Sequence, residues 1–158
     1  MHSESVSFLP GGLSTDHRGQ VSYVNGFPFG DYKRFYIIEN HEVGFVRAWH
    51  GHKHEAKAYY VLSGEALVGA VHIDDWGDPS PDCPLSVHTL SAAEPGILFI
   101  PGGYANGFMS LKPNTKVMLF SDFTLEESLN DDIRFDPYLW DPWTPMQREL
   151  GFTAGGSK

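Results

Sequence analysis

The chain has 158 residues, a formal net charge of −9, 17 glycines, 11 prolines and one cysteine. That length is enough for one domain with a real core, and the acidity argues against a nucleic-acid or anionic-membrane partner, either of which needs a basic patch. A lone Cys83 cannot close an internal disulfide, which points to a reducing compartment.

The opening "MHSESVSFLPGG" has neither a basic n-region nor a long apolar run, so no signal peptide is expected. No apolar stretch approaches the ~20 residues of a membrane helix, and a cytoplasmic location is the expectation. From there the apolar runs are short, β-branched or aromatic, and bounded by turn residues, which is a strand signature. Strands are predicted at 20–25, 33–39, 44–50, 57–63, 65–73, 85–91, 96–101, 107–111 and 115–122, with "SG" at 63–64 as a tight hairpin. "DDWGDPSPDCP" (74–84) is a surface loop by its Asp, Pro and Gly content. "TLEESLNDD" (124–132) reads as a short C-terminal helix, with Thr124 as N-cap and Glu127 completing a capping box. "GFTAGGSK" is small and polar, so residues 151–158 are expected to be a disordered tail behind one domain at 1–150. Many short strands with turns between them predict an all-β sandwich or barrel.

The chemistry concentrates in "GFVRAWHGHKHEAKAYYVLSG" (44–64). From Gly44, five residues lead to His50, one to His52, four to Lys57 and six to Gly64. This spacing resembles the first motif of the cupin superfamily, with Lys57 where that motif has a metal-binding glutamate. "GILFIPGGYANGFMS" (96–110) is similar to the second motif, with Asn106 where a metal-binding histidine belongs. The resemblance implies a cupin double-stranded β-helix, a jelly-roll barrel. An ammonium repels a divalent cation and offers no lone pair, and two imidazoles alone rarely hold a transition metal. Strand alternation could bring in His54 as a third ligand, but the reading without a metal is preferred. His2, His17, His41, His72 and His88 are read as structural.

Histidines beside a lysine suit proton transfer instead. Imidazole titrates near neutrality, and an ammonium stabilises the oxyanion that forms when a proton leaves carbon next to a carbonyl. In order along the chain, "DHRG" (16–19), "RAWH" (47–50), "KAYYVLSGEA" (57–66), "IPGGYANGF" (100–108) and "IRFDPYLWDPW" (133–143) resemble segments of the dTDP-4-dehydrorhamnose 3,5-epimerase family. "RAWHGHK" also resembles the paired-histidine motif of the related dTDP-sugar 3,4-ketoisomerases.

The resemblance implies His50 as general base, Lys57 as enolate stabiliser and His52 as a second proton carrier, with Tyr36 as a pocket hydroxyl. Arg47 and Arg18 match arginines that hold the diphosphate, a group that guanidinium recognises bidentately. Arg34 and Asn106 complete the candidate substrate-binding set. The epimerases' acid tyrosine has no counterpart in "VMLFSDF" (117–123), and no histidine-orienting carboxylate is found after Trp143.

The implied function is isomerisation of a nucleotide-linked 4-keto-6-deoxy sugar. Epimerase leads, ketoisomerase follows, and a non-catalytic sugar-nucleotide-binding cupin is the alternative from another class. The implied partner is a small-molecule nucleotide sugar, the implied assembly is a homodimer, and no metal or organic cofactor is called for.

Overall fold

A computed structural model describes residues 4–152. Two five-stranded antiparallel sheets face each other. The first contains β1 (Ser7–Pro10), β9 (Gly96–Ile100), β6 (Lys57–Ser63), β11 (Lys116–Ser121) and β4 (Arg34–Ile38), in that spatial order. The second contains β12 (Ile133–Arg134), β5 (Val46–His52), β10 (Tyr104–Ser110), β7 (Glu65–His72) and β8 (Leu85–Ser91). A separate hairpin joins β2 (Gly12–Asp16) to β3 (Gly19–Tyr23). Two short helices, α1 (Leu125–Leu129) and α2 (Thr144–Leu150), complete the order.

All nine predicted strands are present. The predicted hairpin turns at Gly64, whose φ of 78° suits a residue without Cβ. The capping box is present too, with Glu127 N–H donating to Thr124 Oγ1 at 3.2 Å and Thr124 N–H to Glu127 Oε1 at 2.9 Å. The expected tail falls outside the described residues from position 153 onward. Gly151 caps α2, and the Phe152 amide donates to the Gln147 carbonyl.

Strand alternation sorts the side chains. Between the sheets, Val61, Val68, Leu98, Phe108 and Val117 form the inner core. The outer face of the second sheet carries Leu67, Val71 and Met109, and the C-terminal segment covers it with Trp140 and Trp143 packed on Trp49. The "DPW" segment is therefore core; Trp143 is fully buried, and its truncation to alanine would cost about 3–5 kcal/mol. The outer face of the first sheet is only partly covered, by Phe27 and Tyr32, which stack on Phe99 and meet Phe120 tilted or edge-on. Phe35 and Ile37 on edge strand β4 are left exposed, at 60% and 50%.

A bulge decides what faces the interior. On β10, Asn106 pairs with His50, but Phe108 pairs with Arg47, so three steps of β5 oppose two of β10. Such an extra residue re-aims side chains next to it, and here both Arg47 and His50 reach the same pocket. Gly107 lies opposite the bulged residues of β5, where an added Cβ would lie 2.9 Å from the Arg47 carbonyl oxygen and 2.3 Å from the Ala48 Cβ. Gly107→Ala is expected to destabilise the chain by about 1–3 kcal/mol. Urea unfolding measures this, and a variant of unchanged midpoint would show that the bulge tolerates a side chain.

Candidate active site

The interior grades from apolar to polar along the strands. On the first sheet, cross-strand neighbours form rows: Ile38, Val117 and Val61; then Tyr36, Leu119 and Tyr59; then Arg34, Ser121 and Lys57. The last rows face His50 and His52 of β5 and Asn106 of β10 across the barrel, where they line a cavity of about 270 Å³. Pockets that enclose drug-sized ligands run to ~300–1,000 Å³, so this one suits a single ring with the rest of a ligand outside. α1 and β12 form the mouth, with Leu125 and Leu129 on one side and Asp132 and Arg134 on the other.

His52 is buried, and its Nδ1 lies 2.6 Å from the Asp131 carbonyl oxygen. A carbonyl can only accept, so Nδ1 carries the hydrogen and Nε2 keeps a lone pair. Burial, with the Lys57 charge assisting, lowers the His52 pKa against the opposing pull of that hydrogen bond and of Glu55. His50 is lowered further, to about 4, first by burial and then by the Arg134 guanidinium; Asp132 opposes this, while His52 and Arg47 add to it. Both rings are therefore neutral at neutral pH and able to accept a proton.

Lys57 is 5% exposed. Its Nζ donates to Tyr36 Oη at 2.6 Å and lies 3.0 Å from Glu55 Oε2. An ammonium has three hydrogens, which leaves one for the pocket. Because the Tyr36 oxygen accepts from Lys57, its own hydrogen is available to a ligand. Burial pushes the Glu55 carboxyl up, but hydrogen bonds from Ser121, Ser128 and Lys57 and the Lys57 charge outweigh it and hold the group below its ordinary value.

Every proposed site residue but one lines this cavity: His50, His52, Lys57, Tyr36, Arg47, Arg34 and Asn106. Arg34 is half-buried, with Nη2 3.5 Å from Glu55 Oε2, Nε donating to the Phe123 carbonyl, and its guanidinium 4.9 Å from the Tyr36 ring centre. Arg47 is exposed and held by Asn40 at 3.1 Å. Asn106 accepts from the Tyr59 hydroxyl at 2.6 Å. Arg18 is the exception: it sits exposed at the tip of the β2–β3 hairpin, engaged by Asp16 at 2.6–3.0 Å, away from the cavity. His54, weighed as a third metal ligand, is exposed and does not line the cavity. Among the described residues, no group of three or more His, Cys, Asp or Glu side chains could hold a metal ion.

The sequence reading missed Glu55, Asp132 and Arg134. Asp132 lines the cavity near His50, with its carboxylate bound to Arg134. Arg134 pairs with His50 across β12 and β5, inside the segment quoted for its family likeness. The charge pattern Glu55-x-Lys57 was the signal available for Glu55. Asp131 does its work on the backbone, accepting from the amides of Lys53, His54 and Glu55 at 2.8–2.9 Å.

No family model matches the chain, and no curated protein matches it in sequence. Solved structures do match. An rmlC epimerase of Mycobacterium tuberculosis superposes with a TM-score of 0.71 at 19% identity, over 90% of this chain and 76% of that one. The dTDP-4-dehydrorhamnose 3,5-epimerase of Bacillus anthracis, solved with TDP and PPi bound, gives 0.69 at 22% identity, over 87% and 84%. The 3,4-ketoisomerase QdtA of Thermoanaerobacterium thermosaccharolyticum, in complex with TDP, gives 0.64 at 19% identity, over 90% and 96%. The fold is the cupin jelly roll of these isomerases. It is shared by both groups whose motifs the sequence resembles, and at such identities the likeness is one of fold. No helix among the described residues is long and apolar enough to cross a membrane.

Arg134→Gln is expected to raise the His50 pKa from about 4, because it removes a nearby cation and frees Asp132 from its ion pair. An NMR titration of the imidazole in the resting protein reads this directly; an unchanged or lower value would refute the assignment. The linked stability follows in sign. The unfolded ring takes up a proton below about 6.5 and the folded one only near 4. The His50 contribution is thus complete above 6.5 and is lost as the pH falls towards 4.

Proposed function

We propose that the chain is a nucleotide-sugar isomerase that moves protons on carbon next to a 4-keto group, with 3,5-epimerisation as the leading reaction. The observation that carries this is the pairing of Lys57 with Tyr36 on the wall opposite His50 and His52. Epimerisation needs a base on one face of a ring and a proton donor on the other. A neutral His50 takes the α-proton, and the carbon–hydrogen pair moves into the enolate. The free Lys57 hydrogen stabilises the new oxyanion. Tyr36 then gives its proton to the carbon from the far side, and the phenolate it leaves is held by Lys57. Tyr36 is the direct cross-strand neighbour of Leu119 on β11, so a hydroxyl lies one strand away from the run where the family's acid tyrosine is missing.

Arg47, Arg134 and Arg34 border the cavity in an acidic chain, which supports recognition of a diphosphate outside the ring-sized space. The chemistry requires no metal, since an ammonium occupies the position from which a divalent ion would be stabilised. The 3,4-ketoisomerase reading draws support from a different observation: His50 and His52 are two apart on one strand, so both face the same side of the pocket.

Proton NMR of dTDP-4-keto-6-deoxyglucose with the protein in D2O separates the readings. Deuterium at C3 and C5 with the 4-keto group retained is the expected result, and a 3-keto product would move the assignment to ketoisomerase. Absence of any exchange removes both. His50→Ala is expected to abolish exchange, and Lys57→Met to lower kcat about 100-fold or more.

A homodimer is proposed through the uncovered face of the first sheet. Phe35 and Ile37 on edge strand β4 are exposed at 60% and 50% and flank the half-buried Phe120 and Met118 of β11, and exposed apolar side chains along a sheet edge mark an interaction surface. Phe35→Asp with Ile37→Lys is expected to sediment as a monomer where the parent chain sediments as a dimer. A parent chain that is itself monomeric would end the proposal.

A further inference from the structure

Glu55 is a buried group with partners on every side. It is 1% exposed, and its carboxylate draws on five segments at once. Oε2 meets Lys57 Nζ of β6 at 3.0 Å, Arg34 Nη2 of β4 at 3.5 Å and the Ser121 hydroxyl of β11. Oε1 accepts from Ser128 Oγ of α1 at 2.7 Å and lies 3.4 Å from His52 Nδ1 of β5. The backbone on either side of it is fixed as well, since the Asp131 carboxylate takes the amides of Lys53, His54 and Glu55. A carboxylate so far from water persists only when charges and donors replace its hydration.

We infer that Glu55 is the positioning residue of this site: its buried carboxylate orients the Lys57 ammonium between Tyr36 and the cavity, and its bond to Ser128 sets α1 over the mouth. The inference rests on the isomerase reading for its kinetic consequence. A lysine arm has four rotatable carbons and a strongly hydrated head. Two hydrogen bonds, one to Glu55 and one to Tyr36, are needed to leave a single hydrogen aimed at the pocket. Without the carboxylate, Lys57 and Arg34 would both remain about 5 Å from the Tyr36 ring centre and would lose the counter-charge they share. The same atom set explains why α1 is registered at all. It has five residues, far short of the ~12–15 that sustain an isolated helix. Ser128, the one buried residue of α1, is spent on Glu55, while Leu125 and Leu129 line the mouth at 62% and 71% exposure. The lysine and the apolar rim are therefore set by one group.

The test uses Glu55→Gln in the full chain labelled with 15N-lysine. A buried, paired ammonium gives a resolved proton–nitrogen correlation, so the Lys57 signal is expected in the parent and lost in Glu55→Gln. The variant's kcat is expected to fall about 100-fold, with KM within about threefold, because Arg47 and Arg134 at the rim are held by Asn40 and Asp132 and not by Glu55. A retained Lys57 signal together with parental kcat overturns the inference. If Glu55→Gln does not fold, the double variant Glu55→Gln/Lys57→Met decides. Recovery of folding shows that the defect was an uncompensated buried ammonium, and a defect as severe as in Glu55→Gln shows that Glu55 acts on the fold without acting through Lys57. The NMR and folding readouts need no turnover. A parent chain that exchanges no deuterium in D2O would end the isomerase reading and leave them standing.

Discussion

A cation and an anion buried side by side in a β-barrel constrain everything around them. The Lys57–Glu55 pair lies at the polar end of an interior whose other end is Val61, Val68 and Val117. Taking two such charges from water is costly, and their attraction offsets it only when the remaining hydrogen-bonding capacity is also satisfied. The structure meets that demand with Ser121, Ser128, Arg34 and Tyr36, delivered by three segments: β11, α1 and, for the last two, β4. The strand registers must hold for the four to meet. Cross-strand pairing of Ser121 with both Arg34 and Lys57 puts three members in one row. A one-residue slip would send all of them to the opposite face.

The histidine wall is built on a different principle. His50 and His52 are kept neutral by burial and by neighbouring cations. One wall thus presents lone pairs and the other presents hydrogens. The division matches proton transfer across a ring, and it is produced by the electrostatics of the two sheets before any ligand arrives. The bulge in β5 between Arg47 and His50 contributes by bringing Arg47 to the side of His50, so a guanidinium both depresses that ring and borders the cavity.

How far this could be read from sequence depends on where the information sits. The long strands were legible because their alternation and bounding turns are local. β1 ends in proline, and β2 and β3 are exposed along most of their length and pair only with each other, so neither shows a buried-face pattern that would set the first two apart from loop. α2 begins "TPM" behind a core tryptophan and is seven residues long, too short for periodicity to register. Lys57, His50 and His52 were legible because motif spacing fixes their register. The rest of the Glu55 cluster was not, because Arg34, Ser121 and Ser128 lie 21, 66 and 73 residues from Glu55 in the chain and only the closed barrel brings them together. Arg18 went the other way: a motif match placed it with the diphosphate, and the hairpin carries it off to Asp16.

On the isomerase reading proposed above, the choice between its two reactions would come down to which hydroxyl or imidazole returns the proton. Both reactions share the first step, loss of a proton to a neutral histidine with charge gathering on an oxygen near Lys57. If His52 returns it, the proton stays on one face, and its Nε2 lone pair, fixed by the Nδ1 bond to the Asp131 carbonyl, first has to be protonated. Tyr36 already carries its proton and is already held by the ammonium that would stabilise its phenolate. A donor that is loaded in the resting state and stabilised in the product state needs no prior proton uptake. That asymmetry favours return from the Tyr36 side, and with it inversion at carbon.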